Sequence, residues 1–320
     1  MKAIQDLGLP KKERPIKVVQ FGEGNFLRAF ADYMIDVANE AGAFHGNIAI
    51  IKPIQAGSLE KFREQSCLYT VLLRGREENR VVNQRRIVTS VEKALCCYED
   101  YEEYLSLAEL DTLEFIISNT TEAGIVLDEG DCIEGIPRSY PGKLTQFLYH
   151  RYQAFGRAPE KGLVILPVEL IEDNGEKLKE CVIRLSELWR LPEEFLQWIQ
   201  ENNIFCSTLV DRIVTGFPKT GPEKEWEALG YKDELLDIAE PFGTLGHPIP
   251  NGYFSKISSS RRWSPGCFHP GSPSLPGTEG AYLKRRPYLY CSAGMAVRSF
   301  HCTGLYARSH RKRLYEKGCS

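Results

Sequence analysis

Val18-Val19-Gln20-Phe21-Gly22-Glu23-Gly24-Asn25-Phe26-Leu27-Arg28 is the stretch that decides the fold of this 320-residue chain. Residues 16–21 form an apolar run that suits a short buried strand. Residues 25–41 then place Phe26, Leu27, Phe30, Met34, Val37 and Ala38 at helical spacing. Between strand and helix stands Gly22-x-Gly24. Two glycines permit a tight turn and let a backbone approach a pyrophosphate, and the helix start supplies free N–H donors and a favourable dipole. The third glycine of the usual GxGxxG pattern is replaced by Leu27. A plain strand-to-helix turn is therefore the competing reading. The surrounding strand, turn and amphipathic helix favour a dinucleotide site formed by Val19, Gln20, Phe21, Gly22, Glu23, Gly24, Asn25, Phe26, Leu27 and Arg28.

Working outward, Asn47 to Ile51 is a second apolar run, stopped at Lys52-Pro53 because proline cannot donate to a ladder. Leu68–Leu73 and Arg80–Val88 suit two strands of a hairpin. Tyr98–Leu110 is acidic and amphipathic and predicts a helix. Leu113–Ile117 predicts a buried strand, as does Gly162–Val168. Tyr140–Phe155 predicts a helix with Pro141 in its first turn, and further helices are expected near 174–190 and 193–202, separated by Pro192. Strands alternating with helices over this length predict an α/β fold with a doubly wound, mostly parallel sheet.

In such sheets, ligands lie outside the carboxyl ends of the strands. Three further segments occupy those ends. Ser118-Asn119-Thr120-Thr121-Glu122 offers hydroxyl and amide groups to a nicotinamide ribose; Ser118, Asn119 and Thr120 would equally suit a helix cap. Pro167 to Gly175 offers Glu169 on the substrate side, against the simpler reading of a helix start capped by Asp173 or Asn174. Ser207 to Ile213 offers Asp211 and Arg212, either a structural ion pair or an oriented pair lining a cleft. Lys52 stands where an acid usually binds the adenosine ribose. It either favours a 2′-phosphate or is a solvated strand end.

The net charge of −3 hides a break in the chain. Residues 1–242 carry a net −13 and residues 243–320 a net +10, with Glu279 and Glu316 the only acids of that second part. After Phe242 no helical or alternating pattern persists, and Ser, Pro, Gly, His and Cys crowd together, a poor basis for a packed core. The ten cysteines lack the paired spacing of a zinc site and are expected to be reduced thiols, so no metal is expected. No apolar run is long enough to span a bilayer, and Met1–Arg14 lacks the features of a secretory signal. A cytoplasmic protein that does not bind membranes is expected.

Taken together, Gln20–Phe30, Ser118–Ile125, Pro167–Gly175 and Val210–Val214 resemble, in order, the motifs of the mannitol dehydrogenase family of long-chain polyol dehydrogenases. The resemblance spans about residues 15–242. It implies a Rossmann-type NAD-binding domain over 1–242, followed by a mainly helical substrate domain. It also implies NAD as cofactor and metal-independent hydride transfer between D-altronate and D-tagaturonate. The glycine turn would bind the pyrophosphate, Ser118, Asn119 and Thr120 would lie on the nicotinamide side, and Glu169, Asp211 and Arg212 on the sugar-acid side. Fructuronate reductase or mannitol dehydrogenase activity is the near alternative.

The family's catalytic base is a lysine in a Lys-x4-Asn-x2-His helix. Beyond residue 242, Lys256, Lys284, Lys312 and Lys317 all lack an Asn five residues on, so the catalytic residues are unassigned. We expect residues 243–320 to be a frameshifted remnant in place of the helical domain, which would leave a cofactor-binding chain without turnover. A genuine basic tail that binds nucleic acid or anionic lipid is the competing explanation. With no basic-aromatic periodicity and no known module, nucleic-acid binding is not expected.

Overall fold

The computed structural model describes residues 1–77, 80–121, 124–248 and 288–291. Its strands are β1 Lys2–Ala3, β2 Ile16–Phe21, β3 Asn47–Lys52, β4 Tyr69–Glu77, β5 Arg80–Val88, β6 Val91–Cys96 and β7 Phe115–Ser118. They continue with β8 Val164–Pro167, β9 Ile204–Phe205, β10 Leu209–Asp211, β11 Tyr231–Lys232, β12 Asp237–Ala239, β13 Thr244–Pro248 and β14 Tyr288–Cys291. Six of them form a wholly parallel sheet in the order β6-β3-β2-β7-β8-β9. This is the doubly wound order of dinucleotide-binding sheets. Connections leave β2 in one direction and β7 in the other, which opens a crevice beyond their carboxyl ends.

Strand alternation divides the core into two layers. Val18, Ile48, Ile50, Phe115 and Ile117 face one layer, with Leu27, Phe30, Tyr33 and Met34 of the first helical segment packed over them. Val19, Phe21, Ala49, Ile51 and Ile116 face the other, beneath helices Tyr140–Phe155, Asn174–Leu188 and Glu193–Asn202. Both faces of the sheet are covered, so the strands are near-continuous apolar runs. Phe21 anchors the second layer, with its ring 5.1 Å from Tyr140, 6.0 Å from Tyr104 and 6.3 Å from Phe147. Truncating such a ring to alanine costs about 3–5 kcal/mol.

Between β3 and β6 the chain makes the antiparallel β4–β5 hairpin, onto which β12 adds in parallel. This small sheet's strand β12 lies against the π-helical turn that follows the glycine turn. A third sheet pairs β10 with β13 and β13 with β14, all antiparallel. β13 thus lies just past the division drawn at residue 242. The frameshift reading of 249–287 and 292–320 falls outside the described residues. Among the described residues, no helix is long and apolar enough to cross a membrane.

Three local expectations need correction. The stretch 25–41 is not one regular α-helix: α-helical Asn25–Leu27 and Tyr33–Glu40 flank a π-helical turn, Arg28–Asp32. Arg212 Nη1 donates to the Ala29 carbonyl at 2.6 Å, which draws an acceptor out of the regular ladder. The acidic helix starts at Tyr101 rather than Tyr98 and is α-helical only to Ser106. Asp100 spends its carboxylate on the Cys96 amide, fixing a turn before the helix begins. Neither Asp173 nor Asn174 supplies a side-chain cap to the helix at 174–188: Asp173 sits at its N-cap position in the left-handed region, φ 53°, and the Asn174 side chain is used elsewhere.

Candidate active site

The glycine turn and the end of β7 form one structure. Asn119 N donates to the Phe21 carbonyl at 3.1 Å, and Gly22 N donates to the Ile51 carbonyl at 2.9 Å. Gly22 has φ +121°, and a Cβ there would lie 2.9 Å from the Asn119 carbonyl oxygen. The first glycine is therefore required both by backbone conformation and by close approach. Gly24 has open space where its Cβ would be, and the helix it precedes receives no side-chain cap. Uncapped N–H groups beside open space are what an anionic ligand needs. The residues present therefore fit a dinucleotide pyrophosphate at this turn.

Other residues assigned to the cofactor from sequence are placed differently. Val19, Phe21 and Leu27 are core side chains, and Leu27 packs under the turn against Gly22. Gln20 is buried, with Nε2 donating to the Gly22 carbonyl at 3.1 Å. Arg28 is also buried. It donates to the Leu235 carbonyl and to Asn25 Oδ1, and it lies 3.6 Å from Asp237 Oδ2. Phe26 is half-buried and stacks on Phe30 at 5.0 Å. Glu23 is half-buried; Gly24 and Asn25 are exposed and stand where a ligand would meet them.

The end of β7 is organised by Glu169. Its buried carboxylate accepts from Ser118 Oγ at 3.2 Å, from Thr120 N at 3.0 Å and from Thr120 Oγ1 at 2.9 Å. Burial raises its pKa from the usual carboxylate value, and these hydrogen bonds work against that rise. Asn119 Nδ2 donates to the Val168 carbonyl at 3.0 Å. Sequence reading placed Glu169 on the substrate side; in the structure its oxygens hold the loop that precedes Thr121. Among the described residues, no helix starts between Ser118-Asn119-Thr120 and Tyr140–Phe155, which Ser139 caps. The described residues thus give this motif no helix to cap. Thr121 holds φ 87°, a costly conformation for a β-branched residue and one that collects at functional sites. Glu122 and Ala123 lie outside the described residues.

Asp211 and Arg212 do not form an ion pair with each other. Neighbours on a strand point to opposite sides, so Asp211 is exposed and Arg212 buried. The Arg212 guanidinium donates to the carbonyls of Ala29, Pro241 and Phe242, tying the helix to the chain after β12. Lys52 is buried rather than solvated: Nζ donates to the Gln55 carbonyl at 3.1 Å and lies 3.8 Å from Cys96 Sγ.

Some residues of the site have roles that the sequence motifs did not show. Asn174 bridges the Pro167 and Glu169 carbonyls through Nδ2 and accepts from the Thr208 amide at 2.8 Å, binding the ends of β8 and the 206–208 segment together. Asp32 accepts from Tyr69 Oη at 2.6 Å beneath the glycine turn. Burial pushes the carboxyls of Asp32 and Asp237 up to about 7, with Arg28 opposing the shift in both. No residue pattern marked Asp32 or Asp237, because each looks like an ordinary polar position in an amphipathic segment. Among the described residues, no three His, Cys, Asp or Glu side chains meet in a way that would hold a metal ion.

The mannitol dehydrogenase Rossmann domain matches residues 16–245. An altronate oxidoreductase of Bacillus subtilis (strain 168) is 48% identical over 229 residues, covering 71% of this chain and 48% of that protein. An altronate oxidoreductase of Shigella flexneri is 43% identical over 244 residues, covering 76% and 50%. The chain thus spans about half the length of these curated relatives. Among solved structures, Pseudomonas fluorescens mannitol 2-dehydrogenase, in a ternary complex with NAD and D-mannitol, superposes with a TM-score of 0.62 at 17% identity. That match covers 74% of this chain and 50% of the other. A substrate-free D-sorbitol dehydrogenase gives 0.61 at 22% identity, covering 77% and 54%. These likenesses show the fold, and the matched sequence shows the family: the chain belongs to the mannitol dehydrogenase family.

Proposed function

We propose that this chain carries the dinucleotide-binding half of an NAD-dependent oxidoreductase that interconverts D-altronate and D-tagaturonate. The observation that carries this reading is the joint between Gly22 and Asn119, a ligand-ready turn at the switch point of the sheet, in a chain 43–48% identical to altronate oxidoreductases across this region. The pyrophosphate would be held by the backbone of Gly22–Asn25, and the nicotinamide side would meet Asn119 and Thr120. The bound nicotinamide supplies the hydride acceptor or donor. The chain's own part is to fix that ring's neighbourhood through the Glu169-held loop and to keep the turn open. The ligand is a small sugar acid, and the division at residue 242 is part of the same proposal.

A second reading is supported by one observation: residues 243–320 contain no Lys-x4-Asn-x2-His, the arrangement that the resemblance implies for the base taking the carbinol proton. On that reading the chain binds NAD(H) without turnover. NADH oxidation with D-tagaturonate, beside D-fructuronate and D-fructose, separates the two. Turnover on D-tagaturonate supports the first. NADH binding without turnover, restored in a frame-corrected chain, supports the second. No NADH binding at millimolar concentration overturns both.

A further inference from the structure

Beneath the glycine turn lies a buried charge cluster. Gln20 reaches it from β2, Arg28 and Asp32 from the π-helical turn, Tyr69 from β4 and Asp237 from β12, all buried. Arg28 is its centre. One guanidinium nitrogen donates to the Leu235 carbonyl, the other to Asn25 Oδ1, and the ring of Tyr69 lies 5.3 Å away. Asn25 is the first residue of the helix and is exposed at the turn; its amide side chain packs against the backbone of Gly216. Elsewhere among the described residues, only two buried side-chain polar atoms, Tyr140 Oη and Gln146 Oε1, lack a hydrogen-bond partner. Here Gln20 Oε1, Arg28 Nε, Asp32 Oδ1 and both Asp237 oxygens have no hydrogen-bond partner among the described residues. One guanidinium faces two carboxylates, an imbalance that such a buried site tolerates poorly. The helix at this point also carries its π turn, a distortion that recurs at functional sites.

We propose that Arg28 is a positioning residue for the dinucleotide turn, acting through Asn25 and balanced by Asp32 and Asp237, and does not itself touch the ligand. This rests on the cofactor reading above. Its grip sets where the helix starts, and so where the uncapped N–H groups of the turn point. The charge beneath the turn then depends on protonation. With one proton on the carboxylate pair the cluster is neutral; without it, the cluster carries one net negative charge. Tyr69 stays protonated, since burial raises its pKa well above 10. Of the nearby acids, Asp36 is paired with Arg86 and hydrogen-bonded by Thr89 and Ser90. Asp233 is held by Gln65 and by the amides of Thr70 and Leu235. Neither supplies a countercharge to the cluster. A dinucleotide pyrophosphate is anionic, so its binding weakens as the proton leaves.

The test is NADH binding to the full chain by fluorescence titration between pH 6 and pH 8, on folded protein checked by circular dichroism. The wild-type Kd is expected to rise on the order of three- to tenfold over that range, as one uncompensated charge at this depth implies. Asp237→Asn flattens the profile, and Arg28→Met raises Kd at least tenfold at pH 7. A Kd for Arg28→Met within twofold of wild type overturns the proposal, as does an equally steep profile in Asp237→Asn. Should Arg28→Met fail to fold, the near-isosteric Asp237→Asn carries the test. Amide exchange at Asn25–Leu27 without NADH separates this proposal from the cofactor reading. At least tenfold faster exchange in Arg28→Met supports the grip even where no NADH binds. Unchanged exchange overturns it whatever the chain binds.

Discussion

Two buried acidic sites stand behind the same end of the sheet, and they are built in opposite ways. Glu169 receives three hydrogen bonds, from Ser118 and Thr120, and fixes the loop at the end of β7. Asp32 and Asp237 share one guanidinium with few hydrogen bonds between them, beneath the glycine turn. Both sites suffer the cost of removing a carboxylate from water. The first recovers that cost in directed hydrogen bonds and is a scaffold. The second recovers it in part by holding a proton near neutrality, which makes it responsive to pH. The difference shows that burial alone does not say what an acid does; the donors around it decide.

The largest expected effect breaks the scaffold side. Glu169→Ala leaves the buried Ser118 hydroxyl and both half-buried Thr120 donors unpaired, and should destabilise the chain by about 3 kcal/mol. Urea denaturation of the purified chain measures it. A loss under 1 kcal/mol would mean that water enters freely and that Glu169 is no scaffold. The next effect probes the other side. The Asp32 carboxyl is raised from 3.8 to about 7, chiefly by burial. The folded chain therefore holds this proton more tightly than the unfolded one. Stability from this group is full below about pH 4 and is lost as pH rises through about 7. Asp32→Asn, which cannot ionise, should remove about 2 kcal/mol of the fall in stability between pH 5 and pH 8. Parallel stability curves for the two proteins across that range would show that Asp32 holds no proton near neutrality.

Much of this was legible in the sequence, for reasons that can be traced to particular residues. The central strands are buried on both faces, so Val18–Phe21 and Asn47–Ile51 announce themselves as apolar runs, and the glycine turn lies where strand period gives way to helix period. The strand-end polar motifs were also visible as segments. The direction of each side chain was not. Glu169, Arg28 and Arg212 look like ligand-facing groups because they are charged residues at strand and helix ends. In the fold each is turned inward onto backbone or hydroxyl partners supplied by distant segments: Thr120 for Glu169, Leu235 for Arg28, Ala29 and Pro241 for Arg212. Pairings across 29 to 207 residues leave no local periodicity. The π turn was hidden for the same reason, since the guanidinium that takes the Ala29 carbonyl comes from Arg212.

The smallest expected effect sharpens what the scaffold does. Thr121 directly follows the residue that Glu169 holds by amide and hydroxyl, and it sits at φ 87°. If the carboxylate is what keeps the chain in that conformation, strain is stored next to it. Glycine relieves such strain but adds freedom to the unfolded chain, so Thr121→Gly should stabilise by only about 1 kcal/mol. The informative quantity is the coupling with Glu169→Ala in a double-mutant cycle. Once the carboxylate is gone the loop can relax, and the gain from glycine should vanish, giving a coupling of about 1 kcal/mol. An equal gain with and without Glu169 would place the strain in the backbone of the Gly22–Asn119 joint instead, and the loop would then be held by the turn rather than by the acid.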